Sequence, residues 1–159
     1  MAEPTLADPD RQFEDAFDRH WLSVFRFALG WTNEWRSAED ITQDAFLRLW
    51  ANRARVDWSA PILPWLLTTA RHLATDRFRR LRRLVALTPH ASAAVDEDAR
   101  VRWLDVQSAM KLLTPEQRAA IVLSKVIGLD TESVAEALGT TPGGVRAAVS
   151  RARERLAQE

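Results

Sequence analysis

Cysteine is absent from the 159 residues, which removes any disulfide framework, thiolate metal site or thiol nucleophile. The three histidines, His20, His72 and His90, are scattered along the chain, so a metal enzyme is not expected and no metal or cofactor is assigned. Glycine is scarce, at five residues. It forms no phosphate-cradling loop, and no acid–histidine–nucleophile cluster stands beside it. These absences argue against an enzyme. The opening stretch, MAEPTLADPDRQ, is polar and acidic and lacks the apolar run of a signal peptide. No segment approaches the roughly 18 apolar residues that cross a bilayer. With 47% apolar residues the chain has the composition of a folded protein. The expectation is a cytoplasmic protein in a reducing compartment, with no membrane insertion.

Net charge is missing too, since 22 Lys and Arg balance 22 Asp and Glu. The balance conceals an arrangement. Residues 1–60 carry 7 basic and 11 acidic side chains, 61–84 carry 6 and 1, 85–110 carry 2 and 4, and 111–159 carry 7 and 6. Two basic segments therefore interrupt an acidic chain, the second being the arginines between Arg146 and Arg155. Such clusters serve phosphate backbones. A solvated helix face produces similar runs, so charge alone leaves both readings open.

Apolar residues recur at helical spacing almost throughout. Leu22, Phe25 and Leu29 mark a first long helix. In RSAEDITQDAFLRLW, Ala38, Ile41, Ala45 and Leu49 form one stripe. Ser37 is placed to cap that helix with Asp40 completing a capping box. Asp40, Gln43 and Asp44 occupy the opposite face, with Leu47 at its margin. A third helix is predicted from about Ile62 to Leu84, with Leu63, Leu67, Ala70, Ala74, Phe78 and Leu81 inward and His72, Asp76, Arg80 and Arg83 outward. Pro61 and Pro64 fit only its entry, because a later proline would break it. VALTPHASAAVDEDAR then loses the periodicity and reads as a linker. Regular structure resumes near Arg102, and Thr114, Pro115 and Gln117 make a good helix start. The expected fold is all-α. Two small helical domains, 1–84 and 102–159, are joined by a linker over 85–101.

The tail, DTESVAEALGTTPGGVRAAVSRARERL, predicts a helix-turn-helix. Gly139 supplies the left-handed turn, and Val134, Ala135, Leu138 and Val145 lock the two helices. Thr141 caps the second helix and Pro142 starts it. In such a motif the beginning of the second helix enters the major groove. Arg146, Ser150, Arg151 and Arg153 suit phosphates and base edges there. The competing reading is an ordinary helical hairpin whose arginines reach into water.

Three stretches, AEDITQDAFLRLW (38–50), PWLLTTARHLATDRFRR (64–80) and LTPEQRAAIVLSKVIGLDTESVAEALGTTPGGVRAAVSRAR (113–153), occur in a familiar order and spacing. The chain resembles small extracytoplasmic-function sigma factors over about residues 10–84 and 102–157. These are bacterial initiation subunits that carry only the two promoter-binding domains. The resemblance implies a region 2-like domain for core RNA polymerase and the −10 element, and a region 4-like domain for the −35 element. Asp40, Gln43, Asp44 and Phe46 stand at the positions that dock on the clamp helices of the polymerase β′ subunit, with Arg48 nearby. Asp40 equally suits the helix amino terminus, and Phe46 equally suits the core. Arg71, His72, Asp76, Arg79 and Arg80 match the segment that faces the −10 element.

The loop from Asn52 to Ala60 matches the family's base-binding loop, where Trp58 either stacks on a base or covers the core. Trp65 matches a position that is usually core. Arg146, Ser150, Arg151 and Arg153 fall to the −35 element. The family commonly has asparagine where His72 stands. Gly143, Gly144, Val145, Arg146, Ala147 and Ala148 replace a Gly-Thr-Val-Lys-Ser-Arg string, removing one arginine and one capping hydroxyl, and Ser133 replaces a common acidic residue. The implied partners are core polymerase, promoter DNA and, as for many family members, an anti-sigma factor. A stand-alone helix-turn-helix regulator would need only residues 102–157 and leaves three helices without a purpose. A degenerate sigma-like interaction protein would not need basic residues in both domains.

Overall fold

The first helix begins where Asp8 accepts a hydrogen bond from the Asp10 amide at 3.1 Å and Pro9 occupies a position whose missing N–H costs nothing. The computed structural model describes residues 8–81 and 97–158. Helix α1 (Pro9–Thr32) ends at Asn33, which turns left-handed with φ of 53°. Helices α2 (Trp35–Asn52) and α3 (Leu63–Leu81) complete a first group. The second group comprises α4 (Glu97–Met110), α5 (Pro115–Ile121) with a π-helical continuation (Val122–Ile127), α6 (Thr131–Leu138) and α7 (Pro142–Leu156). Among the described residues there is no strand, and no helix is long and apolar enough to cross a membrane.

The predicted stripe on α2 is the heart of the first group. Ala38, Ile41, Ala45 and Leu49 are all buried, against Val24, Phe27 and Ala28 of α1 and Leu66, Leu67 and Ala70 of α3. Trp21 stacks on Phe25 with ring centres 5.2 Å apart, and Phe25 meets Trp35 edge-on at 4.9 Å. The buried face of α1 is centred on Val24, Phe27 and Ala28, which turns the expected core residue Leu22 half into solvent. Burial along α3 ends at Ala74, so Phe78, one turn on, is exposed rather than inward.

The start of α2 also differs from expectation. Glu34, not Ser37, caps it, accepting from the amides of Arg36 at 3.0 Å and Ser37 at 2.9 Å. Ser37 is already helical and buried. In the second group, α4 begins at Glu97, inside the expected linker, with Glu97 and Asp98 in a first turn where the helix dipole favours acids. The rest of that linker, 85–96, and the end of the third predicted helix, including Arg83, lie outside the described residues. Thr114 and Gln117 form the capping box read from the sequence, with Gln117 N to Thr114 Oγ1 at 3.2 Å and Thr114 N to Gln117 Oε1 at 3.1 Å.

The two groups meet, and one buried cluster runs through both. Helix α1 packs on α5 and its π-helical continuation, and α3 packs on α6. Ala119, Ala120, Leu123, Val134 and Ala137 share a cluster with Phe27 and Leu66. At the seam Gly30 admits Val122, for a Cβ on Gly30 would lie 2.9 Å from Val122 Cγ2. The buried Arg118 donates to the carbonyls of Gly30 at 2.7 Å, Trp31 at 2.8 Å and Leu113 at 2.6 Å. Asn33 and Gln107 add a reciprocal pair, Gln107 Nε2 to Asn33 O at 2.9 Å and Asn33 Nδ2 to Gln107 O at 3.3 Å.

Two leucines of α2 provide a test of this packing. Leu49 is fully buried and Leu47 is 57% exposed. Leu49→Ala should cost about 2–5 kcal/mol in urea unfolding, whereas Leu47→Ala should stay within about 0.5 kcal/mol. Equal losses would mean that the helix is rotated from the orientation described.

Candidate functional site

Three exposed surfaces carry the sequence-predicted residues. The first is the outward face of α2. Helical spacing puts Gln43, Asp44, Leu47 and Arg48 side by side, and all four are exposed. Asp40 lies at the edge of this face, where Arg77 of α3 donates to its carboxylate at 2.8 Å. It does not serve the amino terminus of α2, because Glu34 fills that role. Phe46 faces the other way. Only 2% exposed, it meets Phe17 edge-on at 5.0 Å and belongs to the core, so direct contact of its ring with a partner is excluded in this arrangement. Trp50, one turn beyond Leu47, is partly exposed and carries the Arg53 guanidinium 3.6 Å above its ring. Nothing in the sequence pattern marked Trp50 as a surface residue, because aromatic residues at helical spacing ordinarily signal core.

The second surface belongs to α3 and the loop before it. His72, Asp76, Arg79 and Arg80 recur every three or four residues and form one exposed face. Arg71 does not join them. It is half-buried and packs against the turn at Gly139, where a Cβ would lie 3.0 Å from its guanidinium. Trp58 is half-buried as well. Its Nε1 donates to the Arg53 carbonyl at 2.9 Å while its ring packs on the core, so it covers the core rather than standing free for a base. In the same loop the Ser59 amide donates to Asp57 at 3.0 Å and the Ser59 hydroxyl also donates to it, which holds the Asp57 carboxyl below its usual range. The loop and the start of α3 enclose an open cleft of about 410 Å³, lined by Asn52, Arg55, Asp57, Pro61 and Trp65 among others. Trp65 is therefore not core, as its family position suggested. It stands partly exposed at the wall of this cleft.

The third surface is the helix-turn-helix. Asp130 caps α6 by accepting from the Ser133 amide at 2.8 Å, which lowers the Asp130 pKa. Gly139 turns left-handed with φ of 63°, and Thr141 caps α7 by accepting from the Gly144 amide at 3.1 Å. Val134, Ala135, Leu138 and Val145 are buried as expected. A groove of about 530 Å³ runs beside α7 and brings together Arg146, Ser150 and Arg153 with Lys125 and Thr131. Arg151 is exposed but lies outside that groove. Ser150 donates to Glu154 at 3.3 Å. Lys125 was not singled out from the sequence. The π-helical stretch that carries it has no signature in the residue pattern.

Comparison with known proteins settles the class. Residues 16–84 match the sigma-70 region 2 family and residues 103–156 match sigma-70 region 4. The RNA polymerase sigma factor CarQ of Myxococcus xanthus is 34% identical over 151 residues, covering 91% of this chain and 86% of CarQ. The extracytoplasmic-function sigma factor SigC of Mycobacterium tuberculosis is 32% identical, covering 84% of this chain and 75% of SigC. Among solved structures, the sigma factor RpoE of Bartonella quintana, crystallised with the anti-sigma factor NepR, aligns with a TM-score of 0.73 at 25% identity over 93% of this chain and 96% of RpoE. CnrH, solved with the cytosolic domain of CnrY, aligns with a TM-score of 0.70 at 24% identity over 94% of this chain and 87% of CnrH. The chain belongs to the extracytoplasmic-function sigma factors of the sigma-70 family. It is a transcription initiation factor and not an enzyme.

The Asp40–Arg77 pair ties the first surface to the second. Both side chains keep a quarter or more of their exposure, so solvent screens the attraction. A double-mutant cycle with Asp40→Asn and Arg77→Gln should return a coupling of about 0.2–1 kcal/mol in stability. A coupling near zero would mean that the pair does not position α3.

Proposed function

We propose that this sigma factor docks on the clamp helices of the polymerase β′ subunit through the exposed face of α2. The observation that carries the reading is the division of that helix into a fully buried stripe and an exposed face of Gln43, Asp44, Leu47 and Arg48. An acidic and amide pair beside an exposed leucine suits a partner helix that carries arginines. Partly exposed Trp50 extends the same face, and tryptophan at a well-packed centre is a common anchor of binding energy. Asp40 contributes by holding Arg77 and hence α3 in register.

Residues of the region 2 match then serve the −10 element and those of the region 4 match the −35 element. Opening DNA leaves bases unstacked, at a cost of a few kcal/mol each, and they must be held. Arg79 and Arg80 track the backbone beside His72 and Asp76, and the cleft at Trp65 offers an aromatic wall for an unpaired base. Arg146, Ser150 and Arg153 of α7, joined by Lys125, meet the duplex at the −35 element, with Arg151 as a separate phosphate contact. The protein works in the cytoplasm, where polymerase is. An anti-sigma factor of the kind crystallised with RpoE is the expected antagonist.

Two experiments test the assignment. Asp44→Arg should abolish co-elution with bacterial core polymerase while circular dichroism shows an unchanged fold, and undiminished co-elution removes Asp44 from the interface. Arg80→Ala should reduce strand opening in the holoenzyme, followed by permanganate reactivity of unpaired thymines, more than it reduces duplex binding. Equal losses would make Arg80 a generic phosphate contact.

A further inference from the structure

Trp50 lies in the last turn of α2, and 39% of it remains exposed. An indole left free on a surface samples several rotamers. This one has two partners. Phe13 of α1 meets it edge-on with ring centres 5.0 Å apart, and the Arg53 guanidinium lies 3.6 Å above its ring. Arg53 is in turn fixed at two points. Its Nη1 donates to the Trp50 carbonyl at 2.9 Å, and its Nε donates to the Asp10 carboxylate in the first turn of α1. We infer that Asp10 and Arg53 form a clasp that presets Trp50 as an aromatic anchor, and that α1 thereby builds half of the seat for the polymerase helix. The inference rests on the reading of the α2 face as the docking surface, and adds to it a positioning pair that reaches across from another helix.

Stability alone does not account for the clasp. The side chains of Arg53 and Asp10 are 30% and 54% exposed, and an ion pair so open to solvent adds little to folding. The helix dipole explains a carboxylate in the first turn of α1. It does not explain why that carboxylate holds an arginine over an indole at the end of α2. The surroundings point to a partner. Phe17, also 39% exposed, lies 6.2 Å from Phe13 and 5.0 Å from Phe46 between ring centres, so an aromatic edge runs from Phe17 through Phe13 to Trp50. Leu47, one turn before Trp50, extends the exposed apolar surface. Glu14 and Asp18 stand beside Phe17 on α1 as Gln43 and Asp44 stand before Leu47 on α2, and all are exposed. An apolar strip with acidic and amide neighbours on both helices suits the same arginine-bearing partner helix. Fixing the indole in advance removes an ordering cost that binding would otherwise meet.

The test measures the free chain as well as the complex. Labelling with 5-fluorotryptophan gives one fluorine resonance for each of the seven tryptophans, and the Trp50 line is the one lost in Trp50→Phe. In the free chain, Asp10→Ala and Arg53→Ala should each displace that line, whereas Asp10→Glu, which keeps the carboxylate, should leave it in place. In titrations with core polymerase, Trp50→Ala should weaken binding by about thirtyfold. Either clasp variant should weaken it by about threefold to tenfold. The double variant should lose no more than the larger single loss, and Asp10→Glu should bind as the wild type does. A Trp50 line that neither clasp variant moves overturns the inference, as does a displaced line with no loss of affinity. Additive losses would return Asp10 to the helix dipole and overturn the clasp. Full affinity in Trp50→Ala, with Asp44→Arg still abolishing co-elution, overturns the anchor and leaves the docking face on α2 standing. Full affinity in both variants overturns the docking face and the anchor together.

Discussion

The Arg118 guanidinium is the point on which the arrangement of the molecule depends. A guanidinium offers five donors in a planar fork, and here they go to backbone carbonyls: Gly30 and Trp31 near the end of α1, Leu113 ahead of α5, and Met110, at 3.4 Å, at the end of α4. The last carbonyls of a helix have no partner within it and carry the negative end of the dipole. A cation is the natural cap, and this one caps two helices at once. Burial holds the Arg118 pKa below its usual value, and the nearby Glu116 carboxylate opposes that shift only in part. A lysine would deliver a single point charge and could not span acceptors on both sides of the seam.

With α1 held on α5 by this clamp, α3 falls on α6, and the remaining surfaces are sorted by that contact. The outward face of α2 stays open, since α2 takes its neighbours from α1 and α3. The groove beside α7 stays open as well. Only the side of α3 that carries Arg71 is covered, because it lies where the helix-turn-helix bends. The charge asymmetry of the sequence acquires a geometric meaning here. Acidic side chains of the first group are presented on the face proposed for a basic protein partner, and arginines of α3 and α7 on the surfaces proposed for phosphates.

How much of this was legible in the residues divides along the line between local and non-local physics. The start of α5 and the helix-turn-helix were legible because their determinants sit within a few residues of where they act: the Thr114–Gln117 box for the former, the left-handed Gly139 and the Thr141 cap ahead of Pro142 for the latter. The stripe on α2 was legible because four small and aliphatic residues repeat with the helix. Misreadings arose where a second partner decides. Glu34 outcompeted Ser37 as a cap, since its longer side chain reaches two amides from outside the helix. Phe78 looked like core from its spacing, but among the described residues burial along α3 ends at Ala74. Trp65 and Trp58 were read by residue type, and the fold put one on a cleft and the other over the core. The seam had no signature of its own, because its apolar residues belong to the stripes of separate helices and its directional contacts come from a glycine, an arginine and two amides.

That composition bears on how firmly the halves are held. A seam built of large interlocking apolar side chains would approach the stability of a domain core, and separating it would unfold the protein. Here Ala119, Ala120, Leu123, Val134, Ala137 and Leu138 share one buried cluster with Phe27 and Leu66, and the hydrogen bonds of Arg118 to the Gly30 and Trp31 carbonyls add a directional clamp to that apolar contact. The face of α2 proposed for polymerase is exposed as the molecule stands and needs no such separation to be reached.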